Sequence, residues 1–167
     1  MDAFETFISY DDRDVEQVHA FLDTHRPLLG SVRSVGVTSD DAIARSADEQ
    51  HILAEVARRY VGEANLALVL VGNQTWTRRF VDWEVAAAAA RGCSILAVPL
   101  YPSAAAVPAR VRLLAEARRA VVAGHPPTST AEFDDWISEA LATIASTSRV
   151  QPTRAMKTPL MRRDATG

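Results

Sequence analysis

The 167-residue sequence contains one cysteine, one lysine and no long apolar run. Cys93 has no second cysteine with which to form an internal disulfide, and the four histidines are too scattered to suggest a zinc site. An apolar stretch of about 18 residues, which a membrane-spanning helix requires, is absent. The N-terminal residues also lack the basic and then apolar order of a signal peptide. These absences predict a cytoplasmic globular protein that needs no metal and contacts no membrane.

Charge is distributed unevenly along the chain. Residues 149–167 carry five basic side chains and one acidic side chain, whereas residues 1–148 carry more acidic than basic ones. An acidic body of this kind is not typical of nucleic-acid-binding domains, so we expect no specific nucleic acid partner. The basic segment lacks hydrophobic periodicity and contains two prolines, which predicts disorder. We therefore divide the chain into a domain at 1–148 and a basic disordered tail at 149–167.

Apolar segments typical of strands alternate with amphipathic segments typical of helices. Short runs rich in β-branched residues predict the strands, and apolar side chains spaced three or four residues apart predict the helices between them. This alternation predicts an α/β fold, a doubly wound, flavodoxin-like parallel sheet of about five strands in the order 2-1-3-4-5. The predicted strands cover residues 4–10, 31–38, 64–72, 94–100 and 119–124.

Polar and glycine residues mark the ends of three predicted helices. Asp14 and Gln17 have the spacing of a capping box at the start of the first helix. Thr75 or Thr77 is the predicted cap of the helix that follows the third strand, and Gly92 is predicted to end that helix.

The carboxyl ends of the predicted strands carry the candidate site. In a sheet of this order, ligands bind beyond those ends, near the switch point between the first and third strands. The residues predicted to share that rim are Ser9, Tyr10, Asp11, Asp40, Asp41, residues 72–75, Leu100 and Tyr101.

Two phosphate-handling functions lack their residues in this chain. The acid pair Asp11 and Asp12 suits a phosphorylation receiver, but Gly72 and Asn73 stand where the acceptor aspartate would follow the third strand. The required lysine is also missing, because Lys157 in the tail is the only one. Neither glycine-rich nucleotide motif occurs, so the sequence gives no support for a phosphate-cradling loop.

Two segments together resemble a known family. The stretch "FISYDDRDV" is similar to the opening box of TIR and TIR-like domains. The stretch "LALVLVGNQTWTRRFVDWEVAAAAARGCSILAV" resembles the TIR-like branch found in Thoeris-type bacterial antiphage defence, which has a strand, then G-x-x-T, and then a helix with a glutamate. The resemblance covers roughly residues 4–123.

The resemblance implies NAD-consuming chemistry, with NAD as substrate and Glu84 at the position of the catalytic glutamate. Family members cleave the bond between nicotinamide and ribose, and many cyclise the remaining ADP-ribose into a messenger that activates a separate effector protein. The resemblance also allows a homo-oligomer. However, the family's basic, Pro-Gly-containing self-association loop is absent after the second strand, where this chain reads "SDDAIARSADEQ".

Each candidate substrate-binding residue also has a structural interpretation. Ser9 and Tyr10 either line the nucleotide pocket or satisfy nearby backbone groups. Asp11 is a ribose or magnesium contact or a solvated turn acid, and Asp40 follows the second strand at the same rim. Asn73 either hydrogen-bonds to a phosphate or to the edge of a base, or it stabilises a turn. Trp76 and Trp83 either stack on a ring of NAD or pack against neighbouring protein side chains.

Two other functions remain open from the sequence. A non-catalytic TIR-like scaffold would only bind partners, and replacing Glu84 would then leave its activity intact. A nucleoside deoxyribosyltransferase shares the fold and also places a glutamate on a helix after a strand. Such an enzyme would form a covalent sugar intermediate at Glu84, which a 2-fluoro nucleoside would trap.

Overall fold

The computed structural model describes residues 4–33, 46–102 and 106–147. The predictions that fall on Asp40, on the later part of the second strand and on the tail at 149–167 lie outside these residues. None of the helices within them combines the length and the apolar character that a membrane span requires.

Five parallel strands form one sheet in the order β2-β1-β3-β4-β5, as the sequence predicts. The first and third strands are neighbours, so the sheet has its switch point between them. The strands are β1 at Glu5–Ser9, β2 at Ser31–Arg33, β3 at Leu66–Val71, β4 at Ser94–Pro99 and β5 at Ala120–Val122. The main helices are α1 at Val15–His25, α2 at Glu49–Val56, α3 at Arg79–Ala90, α4 at Ala109–Glu116 and α5 at Thr130–Thr147.

Helices cover both faces of the sheet, and β3 is buried on each of them. All six residues of β3 are buried, which explains why this strand has no polar alternation. Ala67, Val69 and Val71 face α2, α3 and α4, whereas Leu66 and Leu68 face α1 and α5. The core therefore consists of two apolar layers that the sheet separates.

The alanine-rich helix α3 lies close to the sheet and ends as predicted. Ala87 and Ala88 are fully buried, so small side chains let the helix backbone approach the strands. At its end, Cys93 N donates to Ala88 O at 3.0 Å and Gly92 N donates to Ala89 O at 3.2 Å. Gly92 has a φ of +80°, so this is the glycine-terminated cap that the sequence predicts.

The predicted N-terminal caps of α1 and α3 are wrong. Asp14 makes no cap hydrogen bond, because its carboxylate accepts a hydrogen bond from the Tyr101 hydroxyl instead. Thr75 accepts from the Gly72 amide, and Thr77 donates to a carbonyl within the same loop. Both hydroxyls therefore stabilise the loop between β3 and α3 and do not cap the helix. Helix α3 begins after Arg78 without a side-chain cap.

Candidate active site

Strand β1 and helix α3 bring Ser9 and Glu84 together beneath the carboxyl end of the sheet. Side chains alternate along a strand, so Ser9 points to the same face as Phe7, which is the face that α3 covers. The Ser9 hydroxyl donates to Glu84 Oε2 at 2.5 Å. Both residues are 1% exposed, so this hydrogen bond is shielded from water.

Glu84 lies among apolar side chains that α3 buries against the sheet. Its neighbours Val81, Trp83, Val85 and Ala88 all belong to the same core layer. Burying a carboxylate in such surroundings is unfavourable unless hydrogen bonds compensate for the lost water. The hydrogen bond from Ser9 offsets part of this cost. Buried polar groups of this kind are retained more often for function than for stability.

Tyr10 interacts with the charge of Glu84 although its ring packs on the other face of the sheet. The ring is half-buried against the layer beneath α1 and α5. Burial raises the pKa of Tyr10, and the negative charges of Glu84 and Asp12 raise it further. The phenol therefore stays protonated at neutral pH and is available as a hydrogen-bond donor.

Asp11 is also 1% exposed, but two arginines surround it. Arg13 binds its carboxylate with an Nη2 to Oδ2 distance of 2.6 Å, and Arg78 Nε lies 3.4 Å from Oδ1. Burial alone would raise the pKa of Asp11. Hydrogen bonds from Arg13 and the charge of Arg78 outweigh that effect, so the pKa lies below its usual value and the group is ionised at neutral pH.

Asp14 is a second buried acid at the same rim. Tyr101 donates to its Oδ1 at 3.2 Å, and a Cβ atom on Gly72 would lie 1.9 Å from its Oδ2. A larger residue at position 72 would therefore have to displace this carboxylate, which the end of β3 approaches closely. Burial raises the pKa of Asp14, the Tyr101 hydrogen bond partly opposes this shift, and the charge of Asp11 adds to it.

The loop between β3 and α3 forms the other wall of the rim. Asn73, Gln74 and Trp76 are exposed, and Trp76 keeps 54% of its surface accessible. Trp83, by contrast, is 4% exposed and packs against Phe80 in the core. Trp76 is therefore the tryptophan of this helix region that a ligand can reach.

Two arginines connect this loop to the turn after β1. Arg78 Nη2 binds Asp12 Oδ1 at 2.8 Å, and Arg13 binds the Gln74 side chain. These contacts hold the two loops together at the carboxyl ends of β1 and β3, so the rim between the loops is closed.

A cavity of about 140 Å³ remains at the switch point between β1 and β3. Two larger hollows, of about 480 and 520 Å³, lie away from Glu84, one at the opposite rim and one beside β5. We place the candidate site at the smaller cavity because it lies at the carboxyl ends of the strands, where the buried acids gather. It is lined by Asp11, Arg13, Asp14, Asn73 and Gln74.

The family of the chain follows from a comparison of its sequence. Residues 7–104, more than half of the chain, match the model of the Thoeris protein ThsB, TIR-like domain. The chain belongs to this family. The matched segment includes both strand ends of the switch point, Ser9 and Glu84. No protein with a curated description matches the chain. Membership of the ThsB TIR-like family makes this a TIR-like protein of Thoeris antiphage defence.

The structure brings most of the predicted site residues to one rim. Ser9 contacts Glu84, while Asp11 and Asn73 line the same cavity, with Tyr10 between Ser9 and Asp11. Trp76 lies in the short turn at Thr75–Thr77 that leads into α3. The proposed role of Asp40 stays a prediction, because that residue lies outside the described part of the chain.

The sequence-based interpretation missed three residues at this rim. The sequence pattern predicts a helix cap for Asp14 and no site role for Arg13 or Arg78. A buried acid next to a helix start has the same sequence pattern as a cap, so Asp14 carried no separate signal. Arg13 and Arg78 each lie within one of the two segments that resemble the family, and this position is the only signal that the sequence gives for them.

Proposed function

We propose that the protein cleaves the bond between nicotinamide and ribose in NAD, with Glu84 as the catalytic carboxylate. The observation that carries this proposal is a glutamate, 1% exposed, hydrogen-bonded at the carboxyl end of β1 in a chain of the ThsB TIR-like family. A glutamate that is buried at some energetic cost, at the ligand-binding end of the sheet, is the kind of residue that function retains.

The reaction suits a single carboxylate. The nicotinamide ring of NAD is cationic, so when its bond to ribose C1′ breaks, the bonding electrons move to the ring nitrogen and neutral nicotinamide leaves. No acid is needed to protonate this leaving group. Positive charge grows on C1′ and the ring oxygen of the sugar, and an adjacent carboxylate stabilises it. Because Glu84 lies in apolar surroundings, that stabilisation is stronger than it would be in water.

The sugar cation then reacts with an oxygen or nitrogen nucleophile. If water attacks C1′ and loses a proton, the products are ADP-ribose, nicotinamide and a proton. If a group within the same ADP-ribose attacks, the product is a cyclic isomer, which can act as a messenger for an effector protein. The proposed activity includes both outcomes, because each begins with the same cleavage at C1′.

Exposed and half-buried groups at the rim are suited to hold the rest of the nucleotide. We assign the exposed Trp76 to stacking on a ring of NAD and the Asn73 side chain to hydrogen bonding with its polar edge. Tyr10 keeps its proton and can donate to a sugar hydroxyl or phosphate. The strands keep their positions when Trp76, Asn73 and Tyr10 bind the nucleotide in this way.

NAD can reach Glu84 only when the rim opens. Ligand pockets generally have volumes of about 300–1,000 Å³. The cavity at the switch point is about 140 Å³, Glu84 does not line it, and Glu84 is 1% exposed. Movement of the loop at 73–78 away from the turn at 11–13 would enlarge the cavity, and the contacts of Arg13 and Arg78 oppose that movement.

The proposal is tested by measuring nicotinamide release from NAD. Wild-type protein and the Glu84→Gln variant are compared, both purified and in lysates of phage-infected cells, with chromatography and mass spectrometry of the small molecules. We expect Glu84→Gln to lower the rate by at least ~10²–10³-fold, because it removes the charge that stabilises the sugar cation. Mass spectrometry also separates ADP-ribose from its cyclic isomers.

A matched variant controls for the general effect of replacing a glutamate. Glu55 on α2 pairs with Arg58 and Arg59 away from the rim, so Glu55→Gln should cleave NAD like the wild type. Equal rates for wild type and Glu84→Gln would contradict the catalytic role. No nicotinamide release by the wild type in purified form and in infected lysates would instead favour a non-catalytic scaffold.

A further inference from the structure

We propose that Ser9 is a positioning residue for Glu84, whose hydroxyl holds the carboxylate in its reactive orientation without neutralising its charge. The inference rests on the proposed function and assigns Ser9 a role different from the substrate contact that its place in the motif predicts. Its starting point is the hydrogen bond of 2.5 Å between Ser9 Oγ and Glu84 Oε2.

The hydroxyl proton of Ser9 is already committed to Glu84. A serine hydroxyl has one proton to donate, and here that proton points at the carboxylate. Ser9 is 1% exposed, so its side chain is covered by protein atoms rather than facing the rim cavity. The cavity is lined by Asp11 and Asp14 from the following turn and not by Ser9. Donating a hydrogen bond to the substrate would require this hydroxyl to leave the carboxylate.

Glu84 benefits from such a partner because its side chain is long. A glutamate has several rotatable bonds, and a catalytic carboxylate must keep one arrangement before the substrate arrives. Ser9 is the last residue of β1, in register with Val69 on β3, so the sheet fixes its position. The rigid strand thus provides the donor, and helix α3 provides the carboxylate.

A neutral donor also suits the charge requirement of the reaction. An arginine beside Glu84 would hold the carboxylate equally well but would cancel the negative charge that the sugar cation needs. The Ser9 hydroxyl fixes one oxygen and adds no positive charge. It also favours the ionised carboxylate, since a hydrogen bond donated to the charged form stabilises that form.

The first test separates positioning from substrate binding by steady-state kinetics. For Ser9→Ala we expect kcat to fall about 10–100-fold with KM changed by less than about twofold, because a misplaced carboxylate slows chemistry while NAD still binds. Loss of a substrate contact gives the opposite pattern, in which KM rises and kcat is retained. That opposite pattern would overturn the inference.

Two further variants make the kinetic result specific. Ser9→Thr keeps a hydroxyl on a residue that suits a strand, so it should recover at least part of the lost kcat. Ser94 is also buried, but it starts β4 at the opposite end of the sheet, so Ser94→Ala should match the wild type. Equal losses in Ser9→Ala and Ser9→Thr would show that packing, not the hydroxyl, matters, and would overturn the inference.

A second test does not depend on NAD cleavage. The side-chain carboxyl of Glu84 is followed by ¹³C nuclear magnetic resonance as the pH changes, and its signal is assigned as the one missing in Glu84→Gln. Without the Ser9 hydroxyl the ionised form loses a donor, so in Ser9→Ala the titration should move to higher pH, and in Ser94→Ala it should not. An unmoved titration in folded Ser9→Ala would overturn the inference.

The two tests also separate this inference from the proposed function. If the wild type releases no nicotinamide, the proposed function fails, and the titration still decides whether Ser9 holds Glu84. If the wild type is active and Ser9→Ala changes neither kcat nor the titration, the positioning role fails and the proposed function stands. Circular dichroism and Tm establish that each variant is folded.

Discussion

Two carboxylates at the end of strand β1 are equally buried but have different partners. Glu84 and Asp11 are each 1% exposed. The β1 partner of Glu84 is the neutral hydroxyl of Ser9, whereas Asp11 lies against the guanidinium groups of Arg13 and Arg78. The sheet therefore holds one acid by a hydrogen bond from a neutral group and the other by ion pairs.

Under the proposed function, the difference in partners separates a structural acid, Asp11, from the acid that we propose to be reactive, Glu84. Ion pairs neutralise Asp11, and its main effect is to fix the two arginines that connect the loops of the rim. The Ser9 hydroxyl brings no positive charge to Glu84, which suits the growing sugar cation of the proposed reaction. Equal burial of two acids thus does not imply equal roles, because the charge of the partner decides whether the carboxylate is available for chemistry.

The comparison predicts different effects on the free energy of unfolding when each acid is replaced by its amide. Asp11→Asn should lower the free energy of unfolding by about 2–3 kcal/mol, because the arginines lose a buried partner. Glu84→Gln should leave stability unchanged or raise it, because it removes a buried charge from an apolar layer. Urea denaturation at neutral pH measures both. A loss in Glu84→Gln as large as that in Asp11→Asn would show that the two acids are both structural.

The pH dependence provides a check on the Asp11 effect. The pKa of Asp11 is lowered in the folded state by Arg13 and Arg78 despite its burial. Its contribution to stability is therefore present above the unfolded pKa and is lost as the pH falls through the folded value. The stability difference between wild type and Asp11→Asn should consequently shrink below about pH 4. A difference that stays constant into strong acid would contradict the assigned ion pairs.

Sequence reasoning predicted the fold well because the strands carry an unambiguous signal. The fully apolar β3 indicated a central strand covered on both faces, and the usual strand order of such sheets placed the switch point beside it. Gly92 ended α3 as predicted because glycine adopts a positive φ without strain. The motif context also brought Ser9 and Glu84 to the same end of the sheet.

The contacts within the site could not be predicted in the same way. The sequence does not show that Ser9 gives its proton to Glu84, because this contact depends on how far α3 lies from β1. The cap predictions for Asp14 and Thr75 failed because tertiary partners, Tyr101 and Gly72, took the groups that local capping would use. Local sequence patterns therefore predict where helices and strands lie, whereas packing between distant segments determines which polar groups form hydrogen bonds.

The contacts of Arg78 predict that weakening the closed rim increases activity. Arg78 bridges from the start of α3 to Asp11 and Asp12 in the turn after β1. Arg78→Gln should reduce stability by no more than about 1 kcal/mol, since Asp12 is exposed to solvent and the buried Asp11 keeps its closer pair with Arg13. It should raise the rate of nicotinamide release severalfold if opening limits NAD entry. Hydrogen exchange of residues 72–78 should also become faster.

A matched arginine tests whether the effect of Arg78 is specific to the rim. Arg91 pairs with Glu63 at 3.1 Å at the opposite end of the sheet. Arg91→Gln should therefore change neither nicotinamide release nor hydrogen exchange of residues 72–78. Slower release in Arg78→Gln would argue instead that Arg78 binds the phosphates of NAD.

Asp14 differs from Asp11 because burial, and not a cation, is the main influence on its pKa. Burial raises its pKa, the Tyr101 hydrogen bond lowers it in part, and the charge of Asp11 raises it. A raised folded pKa contributes stability below the unfolded value, and this contribution is lost as the pH rises through the folded value. At neutral pH the ionised Asp14 is therefore unfavourable. Asp14→Asn keeps an acceptor for Tyr101 and should raise Tm by about 2–4 °C, equivalent to about 1 kcal/mol.

The increase in Tm caused by Asp14→Asn should become larger from acid to neutral pH, because burial destabilises only the ionised form of the aspartate. The exposed Asp135 on α5 provides the control, and Asp135→Asn should change Tm little at any pH. Thermal denaturation at several pH values distinguishes the two. If Asp14→Asn lowered Tm at neutral pH, Asp14 would be held by favourable interactions like Asp11, and burial would not be the dominant influence on it. Stability would then fall when either acid of this turn is replaced, and Glu84 would be the one buried acid of the three whose amide is tolerated.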